Sequence, residues 1–225
     1  MLFRSPDYLR DTYHWAYLNH RTLPWLDRHW VVSAILWGNA DRLMREAVAE
    51  FSPGQRVLQA ACVYGDFSRR LLDRLTDKGK LVVADVAPIQ LNNLQRKLTG
   101  QSNVQFLCRD LGHEDGLAGL AEFDSICCFF LLHELPADAR HRVVDRLLAR
   151  VRVGGKVVFT DYHRPHGWHP LRPIMAAVFR LLEPFAPSLL ASEIREMSPL
   201  AENFRWTKKT SFGGLYQKVT ATRLA

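Results

Sequence analysis

The chain has 225 residues, 48% of them hydrophobic, with a formal net charge of +7 and a pI of about 9.5. This length supports one sizeable hydrophobic core and is short for two. No segment reaches the roughly 18 uninterrupted apolar residues of a transmembrane helix, so the composition predicts one water-soluble domain with appendages.

The excess of basic residues is local. Residues 1–50 carry six basic and six acidic side chains, whereas residues 161–225 carry nine basic and five acidic ones. A nucleic-acid-binding surface predicts a continuous basic stripe, but here basic and acidic residues are interleaved over most of the chain. We therefore expect an anionic membrane surface, rather than nucleic acid, as the acidic partner.

The four cysteines indicate a reducing compartment. Cys62, Cys108, Cys127 and Cys128 form no CxxC pair, and two of them are adjacent inside an apolar run, where a disulfide framework is sterically awkward. The amino terminus shows no signal-peptide pattern. We expect free thiols and a cytoplasmic protein that associates peripherally with the inner face of the membrane.

Helical and strand patterns alternate along the chain. Residues 1–51 are aromatic-rich, with Trp15, Trp25, Trp30 and Trp37, and predict a helical lid that caps the substrate. The alternation that follows predicts an α/β fold with a mainly parallel sheet, covered on both faces. Strands are predicted at residues 56–61, 80–85, 104–108, 123–130 and 156–161, helices at 67–75, 89–98, 137–151 and 171–190, a turn at Gly154-Gly155 and an antiparallel carboxyl-terminal hairpin across Gly213-Gly214.

Two acids follow predicted strands at positions that suit a nucleoside. Asp85 ends the second strand, twenty residues after Gly65, where its carboxylate can accept hydrogen bonds from both ribose hydroxyls. Asp110 follows the third strand, where it can meet an exocyclic adenine amine. Helix capping or solvation is the alternative role for each acid. The spacing favours a nucleoside lying across the strand ends.

Residues 51–223 resemble class I S-adenosylmethionine (SAM)-dependent methyltransferases. Besides the nucleoside acids, Phe123-Asp124 opens a strand that ends in Phe130-Leu131-Leu132-His133-Glu134-Leu135, like the fourth-strand motif of that superfamily. The resemblance implies a Rossmann-like SAM-binding domain at residues 52–225, with an interfacial helix inserted at about 171–190. The implied cofactor-binding residues are Gln59, Ala61, Val63, Gly65, Asp85, Val86, Asp110, Leu111 and Phe129.

The first loop departs from this superfamily. Ordinary members have an acidic residue and three alternating glycines there, because a Cβ would collide with the methionine portion of SAM. This chain has Gln59, Ala61, Val63 and Gly65 at those positions, with Tyr64 before the last. A decayed, non-binding relative is one explanation, but the intact nucleoside end favours a repurposed site.

The altered loop resembles the rhodoquinone biosynthesis family more closely. The match covers Val57-Leu58-Gln59-Ala60-Ala61-Cys62-Val63-Tyr64-Gly65-Asp66, Asp85-Val86-Ala87-Pro88-Ile89-Gln90-Leu91 and Asp161-Tyr162-His163. The resemblance implies a transferase that takes SAM as co-substrate and amino donor. It replaces a methoxy group of ubiquinone with an amine and depends on a divalent metal, manganese.

Amino transfer needs a base, since an amine attacks carbon only when it is unprotonated. Tyr64 and Asp66 are the candidate bases next to the loop. Packing is the alternative role for Tyr64, and helix capping is the alternative for Asp66.

The quinone becomes a better electrophile when its carbonyl oxygen is polarised by a metal ion or a protonated histidine. His133 and His163 are the candidate catalytic histidines, although His133 could instead shape the acceptor pocket. Asp161, His163 and His166 are the candidate manganese ligands, since mixed nitrogen and oxygen donors suit that metal. Asp161 ends the fifth predicted strand, and His133 and Glu134 are expected at the end of the neighbouring strand.

A quinone with an isoprenoid tail requires access to a bilayer. Residues 171–182 combine an apolar face with basic residues, as an interfacial helix does, and a core-packing helix is the alternative. Trp25, Trp30 and Trp37 could line a tail channel or belong to the core. Two other functions stay open, a conventional quinone or small-molecule methyltransferase and a non-catalytic membrane- or RNA-binding module, and so does the oligomeric state.

Overall fold

The computed structural model describes residues 6–13 and 19–225 of the chain. These residues form two compact units, which divide between Leu111 and Gly112. Residues 1–5 and 14–18 of the predicted lid, including Trp15, lie outside the described residues.

The first unit begins with helices. The described part of residues 6–51 contains α1 (Asp7–Thr12), α2 (Leu23–Leu26), α3 (His29–Ile35) and α4 (Ala40–Val48). Helix α4 buries Leu43, Met44 and Ala47 along one stripe, as its helical period dictates. Trp25 and Trp30 are more than half exposed and meet edge to face at 5.7 Å. These two tryptophans therefore do not belong to the core.

Three parallel strands follow in the first unit. They are β1 (Arg56–Ala60), β2 (Lys80–Asp85) and β3 (Val104–Cys108), in the order β3-β2-β1, with α5 (Phe67–Leu75) and α6 (Pro88–Lys97) between them. Pairings such as Leu58 with Val82 set the register. Strand β2 is buried from Leu81 to Asp85, as expected for a parallel strand covered on both faces.

The second unit contains four strands. They are β4 (Phe123–Phe129), β5 (Val151–Tyr162), β6 (Phe204–Ser211) and β7 (Tyr216–Arg223), in the order β4-β5-β7-β6. Strand β4 pairs with β5 in parallel, whereas β7 is antiparallel to both β5 and β6. The remaining elements are a 3₁₀ turn at Leu132–Glu134, α7 (Ala137–Ala149), α8 (Arg172–Leu181), α9 (Ala186–Leu190) and 3₁₀ turns at Ile194–Met197 and Pro199–Asn203.

The predicted α/β class, with mainly parallel strands and an antiparallel carboxyl-terminal hairpin, is confirmed. The turn predicted at Gly154-Gly155 is wrong, because β5 already begins at Val151 and contains both glycines. Its pairing with β4 shifts between Phe123 and Ser125. A Cβ on Gly155 would collide with the Asp124 carbonyl oxygen, so the irregular pairing requires glycine there.

The single helix predicted at residues 171–190 is also wrong, because the structure has two helices, α8 and α9, separated by residues 182–185. Pro184 lies in that break. Proline has no backbone N–H and disfavours a helical conformation at the residue before it. The apolar periodicity continues through the break and conceals it.

All four thiols are free, as predicted. Cys127 and Cys128 are buried in β4, where burial raises the pKa of both thiols, whereas Cys108 is exposed. Within the described residues, no helix has both the length and the apolar character to cross a membrane.

Candidate functional site

The loop between β1 and α5 turns sharply without its usual glycines. Ala61 adopts φ +70° and Gly65 adopts φ +79°, both in the left-handed region that L side chains rarely enter. The Ala61 amide donates to the Ala84 carbonyl at 2.8 Å. Strand β2 therefore holds the strained residue in place, which is typical of functional loops.

Gln59 lies completely buried at the end of β1. Its Nε2 donates to the Ala61 carbonyl at 2.9 Å, which braces the loop. Its Oε1 accepts no hydrogen bond from the described residues. A buried acceptor without a donor costs about 1–3 kcal/mol, and an N–H group of a bound ligand would recover that cost.

Asp85 lies where the sequence predicts a ribose ligand. It is 8% exposed, and its two carboxylate oxygens accept the Cys62 amide at 2.6 Å and the Ala87 amide at 2.7 Å. Burial raises the pKa of Asp85 despite these amides. The Val86 amide and the Cys62 side chain also hydrogen-bond to this carboxylate, so a contact between Asp85 and ribose hydroxyls stays a prediction.

Three other predicted nucleoside contacts follow strands of the first unit. Val86 and Asp110 are half-buried and Leu111 is buried. The Arg109 amide donates to the Asp85 carbonyl at 2.9 Å, which holds the segment before Asp110 against β2. Phe129 is buried at the end of β4 in the second unit. Their contacts with SAM stay predictions.

The two candidate bases have different surroundings. Tyr64 packs against Leu26 and Val31, and its hydroxyl oxygen accepts Gln90 Nε2 at 3.1 Å. Asp66 occupies the N-cap position of α5 without a side-chain capping bond. Its Oδ2 accepts Arg70 Nε at 2.8 Å, while its buried Oδ1 has no partner among the described residues. Packing accounts for Tyr64, but capping does not account for Asp66.

A carboxylate that sequence reasoning missed binds the loop from the helical region. Asp27 accepts the Gly65 amide at 2.8 Å, Asn93 Nδ2 at 2.9 Å and Lys97 Nζ at 2.7 and 2.9 Å. Lys97 Nζ also donates to the Gly65 carbonyl. We call these four residues the Asp27 latch. No local pattern could reveal it, because Asp27 is 38 residues from Gly65 and 70 from Lys97.

Substituting Asp27→Asn is expected to loosen the loop, because the amide cannot replace a carboxylate that accepts from Gly65, Asn93 and Lys97 together. Hydrogen exchange at the Gly65 amide should accelerate about tenfold, which corresponds to about 1.4 kcal/mol of local stability. Asp7→Asn is the matched control in the same unit, since the Asp7 carboxylate is 79% exposed. Equal exchange in both variants would show that the latch does not hold the loop.

In the second unit, a buried histidine lies among acidic and aromatic side chains. His133 Nδ1 is 2.8 Å from Asp161 Oδ1, which also accepts the Tyr162 amide at 2.7 Å. Asp161 Oδ2 accepts the Leu132 amide at 2.8 Å and the His133 amide at 3.4 Å. The Tyr162 ring meets the imidazole edge to face at 4.9 Å. The carboxylate therefore fixes both the backbone and the ring of His133.

Two further carboxylates approach the other imidazole nitrogen. His133 Nε2 is 3.8 Å from Glu134 Oε1 and 3.9 Å from Glu183 Oε2. Both separations exceed a hydrogen bond, so Nε2 can still donate to a ligand. We call His133, Glu134, Asp161, Tyr162 and Glu183 the His133 cluster. Sequence reasoning predicted the proximity of His133 to Asp161 and missed the role of Glu183.

The cluster keeps His133 protonated at neutral pH. Burial by itself lowers the pKa of His133, but the nearby carboxylates of Asp161, Glu183 and Glu134 outweigh it and raise the pKa to about 9. A charged imidazole whose Nε2–H lies beyond hydrogen-bond distance of the nearby Glu134 and Glu183 carboxylates is a hydrogen-bond donor rather than a base. The cluster is therefore suited to polarising a carbonyl oxygen.

This pKa predicts how stability depends on pH. Because the folded-state pKa of about 9 exceeds the ordinary value of 6.5, the stabilisation from charged His133 is complete below about pH 6.5 and is lost as pH rises through about 9. The Tm advantage of the wild-type chain over His133→Gln should therefore shrink across this range in thermal scans. A pH-independent difference would contradict the assignment.

The three candidate manganese ligands are not arranged around one metal position. The Asp161 oxygens accept hydrogen bonds from three backbone amides and lie against the His133 ring. His163 Nδ1 donates to the Gly214 carbonyl at 2.9 Å. The His166 ring stacks on Trp168. No group of three or more His, Cys, Asp or Glu side chains in the described chain is arranged to hold a metal ion. The residues do not fit a bound manganese ion, which corrects the predicted ligand set.

His163 differs from His133 in its surroundings. It lines a cavity of about 440 Å³ together with Arg164, His166, Glu193 and Glu196. Burial lowers the pKa of His163, which favours the neutral imidazole and weakens its candidacy as a proton donor. Of the two candidate catalytic histidines, His133 has the surroundings that polarisation of a carbonyl requires.

A family model and a curated relative match this chain in sequence. Residues 57–155 match the model of a methyltransferase domain. The ubiquinone/menaquinone biosynthesis C-methyltransferase UbiE of Coxiella burnetii is 29% identical over 160 residues, which cover 68% of this chain. The chain spans 60% of the length of this curated relative.

Solved structures share the fold at low sequence identity. The N-methyltransferase NodS from Bradyrhizobium japonicum WM9, in complex with S-adenosyl-L-homocysteine, has a TM-score of 0.60 at 14% identity and covers 97% of this chain and 99% of its own. The [4+2]-cyclase SpnF has a TM-score of 0.56 at 17% identity, covering 83% and 82%. The chain therefore has the class I SAM-methyltransferase fold, which also accommodates other chemistry.

Proposed function

We propose that the chain is a SAM-dependent transferase whose acceptor is a ubiquinone-type ring, since residues 57–155 match the model of a methyltransferase domain and the chain has the class I fold. We further propose that it transfers the amine of SAM in place of a ring methoxy group, as in rhodoquinone biosynthesis. Residues 1–51 would serve as the substrate cap and residues 52–225 as the SAM-binding domain. The protein would act in the cytoplasm, at the membrane surface.

The observation that carries amino transfer is Gln59. At the position where ordinary class I enzymes have an acid, this chain has a neutral amide whose buried Oε1 has no donor among the residues that the structure describes. A carboxylate would stabilise the protonated ammonium form of the amine, which has no lone pair for attack. An amide oxygen instead accepts an N–H from the neutral amine, which retains its nucleophilic lone pair.

The His133 cluster supports the same chemistry at the acceptor. A protonated His133 Nε2 donating to a quinone carbonyl would draw electrons from the ring and make it more electrophilic. In the first step the amine nitrogen bonds to the ring carbon and the methoxy group leaves as methanol with a proton of the amine, so the nitrogen then joins the ring to Cα of SAM. A second step with water balances the transfer, because hydroxide bonds to Cα as the N–Cα bond breaks, which releases the amino-quinone and the 2-hydroxy acid derived from SAM. Asp66, whose Oδ1 is unpartnered among the described residues, is the candidate to accept the amine proton first.

Methyl transfer to a quinone carbon is the second candidate function. The similarity to the C-methyltransferase UbiE favours it. Methylation needs an electron-rich quinol and a methyl group aimed at it, and it releases S-adenosylhomocysteine. Amino transfer needs an electron-poor quinone and leaves the methyl group on sulfur.

Doubly labelled SAM separates the two functions in one reaction. SAM with nitrogen-15 in its amine and deuterium in its methyl group is incubated with the protein and a short-tailed ubiquinone analogue, with and without manganese. Amino transfer predicts nitrogen-15 in the quinone, released methanol and no S-adenosylhomocysteine. Deuterium in the quinone with S-adenosylhomocysteine would instead establish methyl transfer.

A further inference from the structure

Exposed apolar side chains are concentrated in one short segment of the second unit. Among the described residues, nine large hydrophobic side chains are exposed, and four of them lie within residues 168–182. Trp168 and Leu181 are each 76% exposed, and Ile174 and Leu182 accompany them. Isolated exposed hydrophobic residues are ordinary, but a cluster of this kind marks a binding surface.

Helix α8 presents apolar residues on both of its sides. Met175 and Phe179 are buried, and Phe179 meets the Tyr162 ring at 5.1 Å. At 100° per residue, Ile174 and Leu181 lie together on a flank that faces away from this buried stripe. We call Trp168, Ile174, Leu181 and Leu182 the apolar face. A helix that serves only the core would carry polar residues at these positions.

The charge of the segment identifies its partner. Residues 162–182 contain Arg164, Arg172 and Arg180, all exposed, and no aspartate or glutamate. On α8, Arg172 and Arg180 lie on the opposite flank from Ile174 and Leu181. An apolar flank with basic residues elsewhere on the exposed surface of the helix matches the acyl and headgroup layers of an anionic bilayer. An exposed tryptophan is also typical of the membrane interface.

We propose that the apolar face inserts into the surface of a bilayer containing anionic phospholipid, while Arg164, Arg172 and Arg180 contact the headgroups. The segment begins at Tyr162 and ends next to Glu183, and both of these residues belong to the His133 cluster. Docking therefore brings the cluster to the membrane surface. The inference deepens the proposed function, since a ubiquinone-type acceptor resides in the bilayer, but vesicle binding is measured without catalysis.

Vesicle flotation of the full chain tests the proposal. We expect binding to phosphatidylcholine vesicles to strengthen about tenfold when phosphatidylglycerol is included, and to weaken with added salt. The double variant Trp168→Ala/Leu181→Ser should lose at least about tenfold in affinity for the anionic vesicles, because two inserted apolar side chains are removed. Arg172→Ala/Arg180→Ala should lose the preference for phosphatidylglycerol.

Matched controls come from the same unit. Val153→Ser removes another exposed hydrophobic side chain and Arg205→Ala another exposed arginine, and neither should alter flotation. Absence of wild-type binding to anionic vesicles, or equal binding by Trp168→Ala/Leu181→Ser, would overturn the proposal. A change of oligomeric state in that variant without a change in flotation would identify the face as an interface between copies of the chain.

The assay on the short-tailed, water-soluble quinone distinguishes this proposal from the proposed function. If docking is correct, Trp168→Ala/Leu181→Ser should retain turnover of that substrate and lose turnover of a long-tailed quinone embedded in vesicles. Lack of turnover by the wild-type chain with either quinone would refute the proposed function. Vesicle flotation would still show whether the apolar face binds the bilayer.

Discussion

Replacing Gln59 by glutamate is expected to reduce amino transfer by about 10- to 100-fold at neutral pH while SAM still binds. An adjacent carboxylate raises the pKa of an amine by roughly 1–3 units, and the fraction of neutral amine falls accordingly. The rate should recover at alkaline pH, so the pH profile of kcat should shift upward by a similar amount. Steady-state kinetics over pH, together with SAM titrations, measure both effects.

Gln59→Leu is the matched control, because it removes the acceptor oxygen without adding charge. It should weaken SAM binding and leave the pH profile in place. An unchanged profile in Gln59→Glu, with SAM bound, would mean that residue 59 does not contact the reacting amine. If the chain instead transfers methyl groups, the glutamate restores the ordinary acid and should leave the rate unchanged or increase it.

Asp161→Asn is expected to cost about 3–5 kcal/mol of unfolding free energy and most of the activity. The carboxylate is 1% exposed and accepts from three backbone amides and the His133 ring. Removing one partner of a buried ion pair leaves the other charge uncompensated, and the asparagine amide also places a donor where only acceptors fit. Urea unfolding measures the loss.

Asp138→Asn is the matched control for the unfolding measurement, because it breaks an exposed ion pair. Asp138 pairs with Arg142 at 2.8 Å, but its carboxylate is 71% exposed, and exposed pairs contribute less than about 1 kcal/mol. Similar losses in the two variants would show that the His133 cluster is not the buried ion pair described above. If Asp161→Asn retained the wild-type kcat, polarisation of the quinone carbonyl by His133 would not be part of the mechanism.

Local sequence signals predicted much of the fold. The bounds of β2 and α5 agree with the prediction to the residue, because a continuous apolar run and a helical stripe are properties of neighbouring residues. The helix predicted at residues 171–190 failed because its periodicity continues across Pro184. The turn at Gly154-Gly155 failed because the need for glycine arises from the neighbouring strand, at the Asp124 carbonyl.

The site was predictable where strands end and not where distant segments meet. Parallel strands bring their carboxyl ends to one edge, which is why His133 and Asp161 could be expected as neighbours. Asp27 and Glu183 reach their partners only through tertiary packing. The predicted manganese ligands do not form a metal site because the Asp161 oxygens accept hydrogen bonds from the Leu132 amide, after β4, and from the Tyr162 amide. Residue spacing does not reveal these hydrogen bonds.

The burial of the cysteines allows thiol labelling to measure local opening of the second unit. Cys108 is exposed on β3, whereas Cys127 and Cys128 are buried side by side in β4. A thiol-specific reagent should therefore modify Cys108 in the native protein and reach Cys127 and Cys128 only when the second unit opens around β4. The slowest phase of labelling then measures how often β4 becomes accessible to the reagent, with no probe added to the sequence.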